Sequence, residues 1–335
     1  MTRPADSPSE LIEGISSGDR RSLARAITLA ESTRADHREI AEEVLERLLP
    51  RSGGATRIGV SGPPGVGKST FIEAFGTHVI DEGHQLAVLA VDPSSRRTGG
   101  SILGDKTRMA ELSHRPEAFI RPSPGSGHLG GVARRTREAM LLCEAAGFDV
   151  VLVETIGVGQ SEVEVADMVD LFALLVAPAG GDELQGIKRG IMELADLVIV
   201  NKADGDLAPA AGRTRADYAS AVHLLRPKWR EWATEVHAVS ALTGTGIAEV
   251  WEAIGRFCTA VGADGELADA RADQATAWLW SEIGDTLVDR FRADPTVTAQ
   301  LASVEADVAA GTLAPARAAR LLLDAFASVP GVAAP

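Results

Sequence analysis

The sequence predicts an α/β domain on a mostly parallel sheet, with helical segments before and after it. Three observations carry this expectation. From Arg57 to about Gly262, short continuous apolar runs alternate with helix-length segments, the pattern of strands covered on both faces. A glycine-rich turn, Gly62 to Gly67, sits between the first apolar run and the first of those helices. Outside this block the apolar residues recur at helical spacing and strand-like runs stop.

Taken in order, residues 1–52 read as a helical extension. Ile40, Val44 and Leu48 recur every four residues, and Pro50 with Ser52-Gly53-Gly54 then breaks the pattern. Residues 53–262 form the α/β domain, with strands expected at Ile58–Ser61, Leu86–Val91, Val150–Val153, Leu171–Ala177, Leu197–Val200 and Val236–Val239. Residues 263–335 are helical again. Leu279, Ile283, Leu287 and Phe291 lie four apart, Trp280 and Val288 widen the stripe, and Pro315 opens a helix through Leu321, Leu322 and Phe326. Such stripes need a partner: the α/β domain, the N-terminal helices, or another subunit.

Composition narrows the class. The chain has 335 residues, 45% of them hydrophobic and 24% charged, which is ample for a core and excludes a disordered chain. Its net charge of −14 repels phosphate backbones, so nucleic-acid binding is not expected. Cys143 and Cys258 cannot build a disulfide framework and read as small core residues in a reducing cytoplasm. The first eight residues lack the apolar core of a signal peptide. The longest apolar runs, such as Leu171 to Pro178, fall well short of the ~20 residues that span a bilayer. A soluble cytoplasmic protein without membrane partners is expected.

Gly62-Pro63-Pro64-Gly65-Val66-Gly67-Lys68-Ser69-Thr70 fits the P-loop pattern G-x-x-x-x-G-K-[ST] in full, after a strand and before a helix. The glycines let backbone N–H groups turn toward phosphates, Lys68 reaches the β- and γ-phosphates, and the Ser69 hydroxyl ligates Mg²⁺. Asn201-Lys202-Ala203-Asp204 ends a later strand, where N-K-x-D reads a base. The Asp204 carboxylate accepts from guanine N1–H and the exocyclic amine, a donor pair adenine does not present. Ser240-Ala241-Leu242 at the end of the next strand resembles the loop that supports the same base. GTP and GDP are the nucleotides expected.

Glu154-Thr155-Ile156-Gly157 stands where GTPases carry D-x-x-G: the carboxylate orients Mg²⁺ or its water, and the Gly157 N–H meets the γ-phosphate. An acidic cap before a loop is the plainer alternative. Asp92 and Asp105 bracket a glycine-rich polar segment and are candidate metal carboxylates, with a turn opener and a helix cap as their bland readings. Lys68, Glu154 and Asp92 are the catalytic candidates. Arg96, Arg97, Lys106 and Arg108 could neutralise transition-state charge, although a solvated loop face accounts better for any one of them. Val158 stands where Ras-like GTPases keep a water-orienting glutamine, and Gln160 is no evident substitute. Slow intrinsic hydrolysis accelerated by a partner is expected.

GPPGVGKST, VDPSSRRTGGSILGDKTRM, ETIGVGQSE and NKAD together resemble the MeaB/ArgK family of metallochaperone-type P-loop GTPases, to which methylmalonic aciduria type A proteins belong. The resemblance spans nearly the whole chain. It implies a homodimer joined by a C-terminal helical arm, and a GTPase that escorts adenosylcobalamin-dependent methylmalonyl-CoA mutase. In that family the GTPase gates cofactor loading and protects or reactivates the mutase. Lys68 and Ser69 match the family's phosphate and Mg²⁺ positions, Asp92, Asp105 and Glu154 its metal-facing carboxylates, and Asn201, Lys202 and Asp204 its guanine readers. Gly180 to Lys188 is similar to a further partner-sensing switch. The rival classes are weaker. A small-molecule kinase needs an acceptor pocket and lid, for which no insertion is evident. A membrane-partitioning ATPase needs a lysine where Pro63 stands, and a nickel-delivery GTPase needs a His/Cys cluster.

Overall fold

The computed structural model describes residues 7–91, 109–122, 129–155, 161–178 and 189–327, with backbone alone at 129–132, 161 and 189. The chain divides into two compact units, one ending at Gln274 and one beginning at Ala275.

The first unit opens with three helices, α1 (Pro8–Ser16), α2 (Arg20–Ala30) and α3 (Ala35–Leu48). Leu11, Ile15, Leu23, Ile27, Val44 and Leu48 are all buried, so one face of each helix is consumed by the others and by the later helix Leu129–Ala145. Asp19 starts α2 by accepting from the N–H groups of Arg21 and Ser22.

Seven parallel strands follow: β1 (Thr56–Ser61), β2 (Leu86–Val91), β3 (Ala118–Pro122), β4 (Val150–Thr155), β5 (Leu171–Val176), β6 (Leu197–Val200) and β7 (Glu235–Ala238). Their spatial order is β3-β2-β4-β1-β5-β6-β7. Register is set at the centre, where Ile58 of β1 lies opposite Leu152 of β4 and Leu171 of β5. The helices between them are α4 (Lys68–Asp81), α5 (Leu129–Ala145), α6 (Ser161–Ala166), α7 (Arg189–Leu194) and α8 (Ala208–Val222), and α9 (Ile247–Ala263) follows β7. Continuous β-branched and leucine runs make these strands because both faces are covered. Every residue of β2, β4, β5 and β6 is buried. On one face Phe71, Ile72 and Phe75 of α4 pack with Ile254 and Phe257 of α9 in a single cluster, and Trp229 and Trp232 set their ring edges on Phe257.

Six of the strands lie where the sequence predicts them, within two residues at each end. β3 is the exception. It is a five-residue edge strand carrying Arg121 and Pro122, too short and too polar to read as an apolar run, and only an edge position tolerates proline.

The amino edge of the sheet repeats one device. Asp149, Asp170 and Asp196 each stand one residue before a strand and accept a backbone N–H from the beginning of a neighbouring one. The donors are Gln85 at 2.7 Å, Arg57 at 2.8 Å and Phe172 at 2.8 Å respectively. These N–H groups start strands and would otherwise lack partners. Asp196 also accepts from Trp229 Nε1 at 2.7 Å and Lys228 Nζ at 3.3 Å; burial raises its carboxyl pKa, and Lys228 and these donors oppose the rise.

Asp170 joins a larger cluster. Arg57 on β1 donates through Nε to Glu144 of α5 at 2.6 Å, and Arg271 donates to Asp170 through Nε at 2.7 Å and Nη2 at 2.6 Å. Arg271 also donates to the Ala55 carbonyl at 2.7 Å. Two guanidiniums and two carboxylates thus neutralise each other beneath the central strand.

Arg271 lies on α10 (Glu266–Ala293), the helix within which the two units divide. The second unit continues with α11 (Pro295–Ala309) and α12 (Pro315–Ala327). Asp294 caps α11, and Phe291 and Phe326 meet edge to face at 5.5 Å. The sequence reading gives α12 and the stripe on α10 but no helix at α11, whose alanine-rich face buries only Val297. Among the described residues no helix is long and apolar enough to cross a membrane.

Glu144→Ala should strand Arg57, which is 4% exposed, without its counter-charge. Breaking a buried pair by removing one partner costs about 3–5 kcal/mol. The urea midpoint of the first unit should fall accordingly, and a loss below about 1 kcal/mol, the range of exposed pairs, would show that the pair is not buried in solution.

Candidate nucleotide site

Parallel strands present all their carboxyl ends on one edge. β1 stands where the strand order reverses, with β4, β2 and β3 on one side and β5, β6 and β7 on the other. In open α/β sheets the crevice at that reversal is the usual ligand site. The segment leaving β1 there is Gly62 to Gly67.

Two of its glycines are required by close neighbours. A Cβ on Gly62 would run into the Leu175 carbonyl of β5. Gly67 holds φ at +93°, and a Cβ there would also lie 2.8 Å from Asn201 Nδ2. α4 begins immediately afterwards at Lys68 without a side-chain cap. Its first N–H groups, together with the helix dipole, are therefore turned toward whatever anion enters the loop.

Lys68 is half-buried, and its ammonium donates to the Gly62 carbonyl at 2.6 Å and more weakly to that of Pro63 at 3.4 Å. Burial lowers its pKa, while the charges of Glu154 and Glu162 hold it up. Ser69 Oγ donates to Glu154 Oε1 at 3.4 Å. Glu154 is the penultimate residue of β4 and is 4% exposed; the last, Thr155, donates to Ser61 Oγ at 2.8 Å and ties the ends of β4 and β1 together. A hydroxyl and a carboxylate converging beside a phosphate loop are hard oxygen donors suited to Mg²⁺.

The end of β6 is bonded directly to this loop. Asn201 donates through Nδ2 to the Val66 carbonyl at 3.0 Å and accepts through Oδ1 from Ala241 N–H at 3.2 Å. Lys202, the one non-glycine residue with positive φ among those described, donates from Nζ to the Gly65 carbonyl at 2.6 Å. Asp204 accepts a short hydrogen bond from Ser240 Oγ, which in turn accepts from Thr243 N–H at 3.1 Å. One carboxylate oxygen is thereby held in place by a buried hydroxyl.

The structure thus brings Gly62 to Thr70, Glu154, Asn201, Lys202, Asp204, Ser240 and Ala241 to one edge of the sheet. The Leu242 side chain, 82% exposed, turns to solvent instead. Asp92, Asp105, Gly157, Gln160, the four basic residues between Arg96 and Arg108, and the Gly180 to Lys188 segment lie outside the described residues. Among the described residues no three His, Cys, Asp or Glu side chains group to hold a metal.

One residue at this site escapes the sequence reading. Glu162, on the first turn of α6, is 1% exposed and near enough to Lys68 to act on its ionisation. It was visible only as the last letter of ETIGVGQSE, because a glutamate at a helix start is ordinarily solvated.

Comparison with known proteins agrees with this geometry. The family model for the methylmalonyl-CoA mutase-associated GTPase MeaB matches residues 23–296. A Caulobacter vibrioides protein named as a GTPase is 56% identical over 309 residues, covering 92% of this chain and 94% of that protein. The mitochondrial methylmalonic aciduria type A homolog of Mus musculus is 52% identical over 328 residues, covering 95% and 79%. GTPase ArgK of Escherichia coli is 52% identical over 285 residues, covering 85% and 86%. A crystal structure of a LAO/AO transport system kinase superposes with a TM-score of 0.75 at 40% identity, covering 98% of this chain and all of that one. A P-loop at the strand-order reversal, an Asn-Lys-Ala-Asp turn bonded to it and a match across most of the sequence have one common account: the chain belongs to the MeaB family of methylmalonyl-CoA mutase-associated GTPases.

Proposed function

We propose that the protein binds GTP with Mg²⁺, hydrolyses it to GDP and phosphate, and uses the cycle to chaperone an adenosylcobalamin-dependent methylmalonyl-CoA mutase, gating its cofactor loading and protecting or reactivating it. The observation that carries the guanine reading is the Ser240–Asp204 hydrogen bond, made where Asn201 and Lys202 fasten the base-reading turn to the phosphate loop. A carboxylate held in one orientation accepts from two adjacent guanine donors, and adenine would leave it unpaired. The mutase reading is supported by the names of the family and of the murine relative.

In this reading Lys68 leaves the Gly62 and Pro63 carbonyls for the β- and γ-phosphates. Ser69 and Glu154, joined by Asp92 and Asp105, would hold Mg²⁺, which neutralises charge on the phosphate oxygens. The amides of Gly65 to Thr70 take the remaining oxygens, and Gly157 N–H senses the γ-phosphate. With Val158 in place of a water-orienting glutamine, turnover is slow until a partner completes the site. The Gly180 to Lys188 segment is the candidate sensor of that partner. Useful coupling requires GTP and GDP to favour different protein states.

A homodimer is part of the proposal. Trp280, Leu279 and Leu287 of α10 are each more than half exposed, a costly face for an isolated chain in water.

The direct test is hydrolysis of GTP and of ATP by the full chain with Mg²⁺, with and without the mutase. Slow GTP turnover that rises on adding mutase, with ATP inert, is expected. No response to mutase would overturn the partner, and preference for ATP would overturn the guanine reading in favour of a kinase-like one. Asp204→Ala should reduce the preference for GTP over ATP by about 100-fold, since the lost acceptor pair is what rejects adenine. Lys68→Ala should lower turnover by a similar factor with guanine preference intact, because it removes charge stabilisation at the phosphates alone.

The pH dependence of binding follows from Lys68. Its free-state pKa lies below the ordinary 10.5 because of burial, and bound phosphate favours the ammonium. The complex therefore binds more protons than the free protein, and GDP affinity should fall as pH rises from neutrality toward 10.5. Titrations compared with Lys68→Ala, which keeps only the ionisation of the base, should show the steeper fall in the parent.

A further inference from the structure

One buried contact beside the site has so far only a structural role. Ser61 ends β1 directly before Gly62, and Thr155 ends β4 directly after Glu154. Thr155 Oγ1 donates to Ser61 Oγ at 2.8 Å, and the two residues are 0% and 1% exposed respectively. Backbone pairing between these strands runs from the pair Thr56 and Val150 to the pair Val60 and Glu154. Toward β2, the pairing of β4 extends one residue further, to Val91 and Thr155. On the β1 side a bond between hydroxyls takes the place of that last pair, where the strands part around the phosphate loop.

Alternation along the strands puts these hydroxyls and the Glu154 carboxylate on opposite faces of the sheet. Ile58, Val60, Val150 and Leu152 belong to the cluster that includes Phe71 and Phe75 of α4, and Glu154 continues their face toward Ser69. Gly59 faces the other way, where a Cβ would lie 2.9 Å from Val165 Cγ1 of α6. Ser61 and Thr155 continue that second face. Their bond therefore holds the end of β4 from behind, without touching the Glu154 and Ser69 contact itself. Two buried hydroxyls cost stability unless each finds a partner, a demand that apolar residues there would not make.

We propose that Ser61 and Thr155 are positioning residues, whose bond sets the separation of Glu154 and Ser69 at which Mg²⁺ is held. This rests on the Mg²⁺ reading above. Ser69 Oγ and Glu154 Oε1 stand 3.4 Å apart. Adjacent oxygens around Mg²⁺ stand about 3 Å apart, because ligands at about 2.1 Å meet at near right angles. Mg²⁺ tolerates little departure from that geometry, so the end of β4 has to be held closely. Without the hydroxyl bond, Val60 and Glu154 become the terminal pair of their ladder, and terminal pairs fray. The competing account is a contact that stabilises β1 against β4 and does nothing for the metal.

The test uses the full chain, magnesium chloride and β,γ-imido-GTP, an analogue that resists hydrolysis. Analogue affinity is measured by calorimetry in EDTA, and Mg²⁺ is then titrated into the analogue complex. Thr155→Val keeps the branched shape and removes the donor, whereas Thr155→Ser keeps the donor. Affinity in EDTA should match the parent in both variants. Mg²⁺ affinity should fall about 10-fold in Thr155→Val, the effect of losing one buried hydrogen bond, and recover in Thr155→Ser. Should Thr155→Val fail to fold, Ser61→Ala, which removes a single oxygen, carries the same expectation. Unchanged Mg²⁺ affinity in the folded variants, or an equal loss with and without Mg²⁺, would overturn the positioning role. A parent whose analogue binding ignores Mg²⁺ would overturn the Mg²⁺ reading as well, a failure visible before any variant is made.

Discussion

A parallel sheet places every strand's carboxyl end on one edge and every amino end on the other, and this chain uses the two edges for opposite purposes. On the carboxyl edge the backbone is turned outward and left available. Gly62 passes under the Leu175 carbonyl, Gly67 passes Asn201, and α4 opens without a cap. These are costs to stability, because uncapped helix ends and strained turns are worth about a kcal/mol each. They produce a surface whose natural complement is an anion.

The amino edge carries the compensation. Asp149, Asp170 and Asp196 satisfy the first N–H groups of neighbouring strands, and the Arg57, Glu144, Asp170 and Arg271 cluster sets two guanidiniums against two carboxylates. Charges so deeply placed are tolerable only as a closed set, since each alone would cost several kcal/mol to desolvate. The strands are thus pinned at one end and left open at the other. A site formed on the open end can respond to a ligand without disturbing the core that holds β1 between β4 and β5.

The carboxyl edge is also cross-linked sideways. Asn201 and Lys202 donate to carbonyls of Val66 and Gly65, so the turn that would read the base is tied directly to the loop that would hold phosphates. Ser240 extends that link to Asp204. Lys68, by contrast, rests on the Gly62 and Pro63 carbonyls, partners it can exchange for phosphate oxygens at little cost. Selection of the base would then rest on fixed acceptors, and response to phosphate on a side chain able to move.

Much of this was legible in the residues alone. Buried parallel strands are continuous apolar runs, so β1, β2, β4, β5, β6 and β7 announce themselves, and the phosphate loop and N-K-x-D stand at strand ends by chain order. β3 does not, because an edge strand need not be apolar, and α11 does not, because it buries little. Glu162 is hidden for a different reason: nothing in its local sequence separates a buried glutamate beside Lys68 from a solvated one. Local chemistry and hydrophobic period are properties of neighbouring residues, and the sequence by itself determined those: the six apolar strands, the strongly periodic helices and the P-loop and N-K-x-D motifs. Strand order, the amino-edge aspartates and the charge cluster joining Arg57 to Arg271 were decided only in the tertiary structure. They join residues from 24 to 216 positions apart, whose meeting depends on which strands lie side by side.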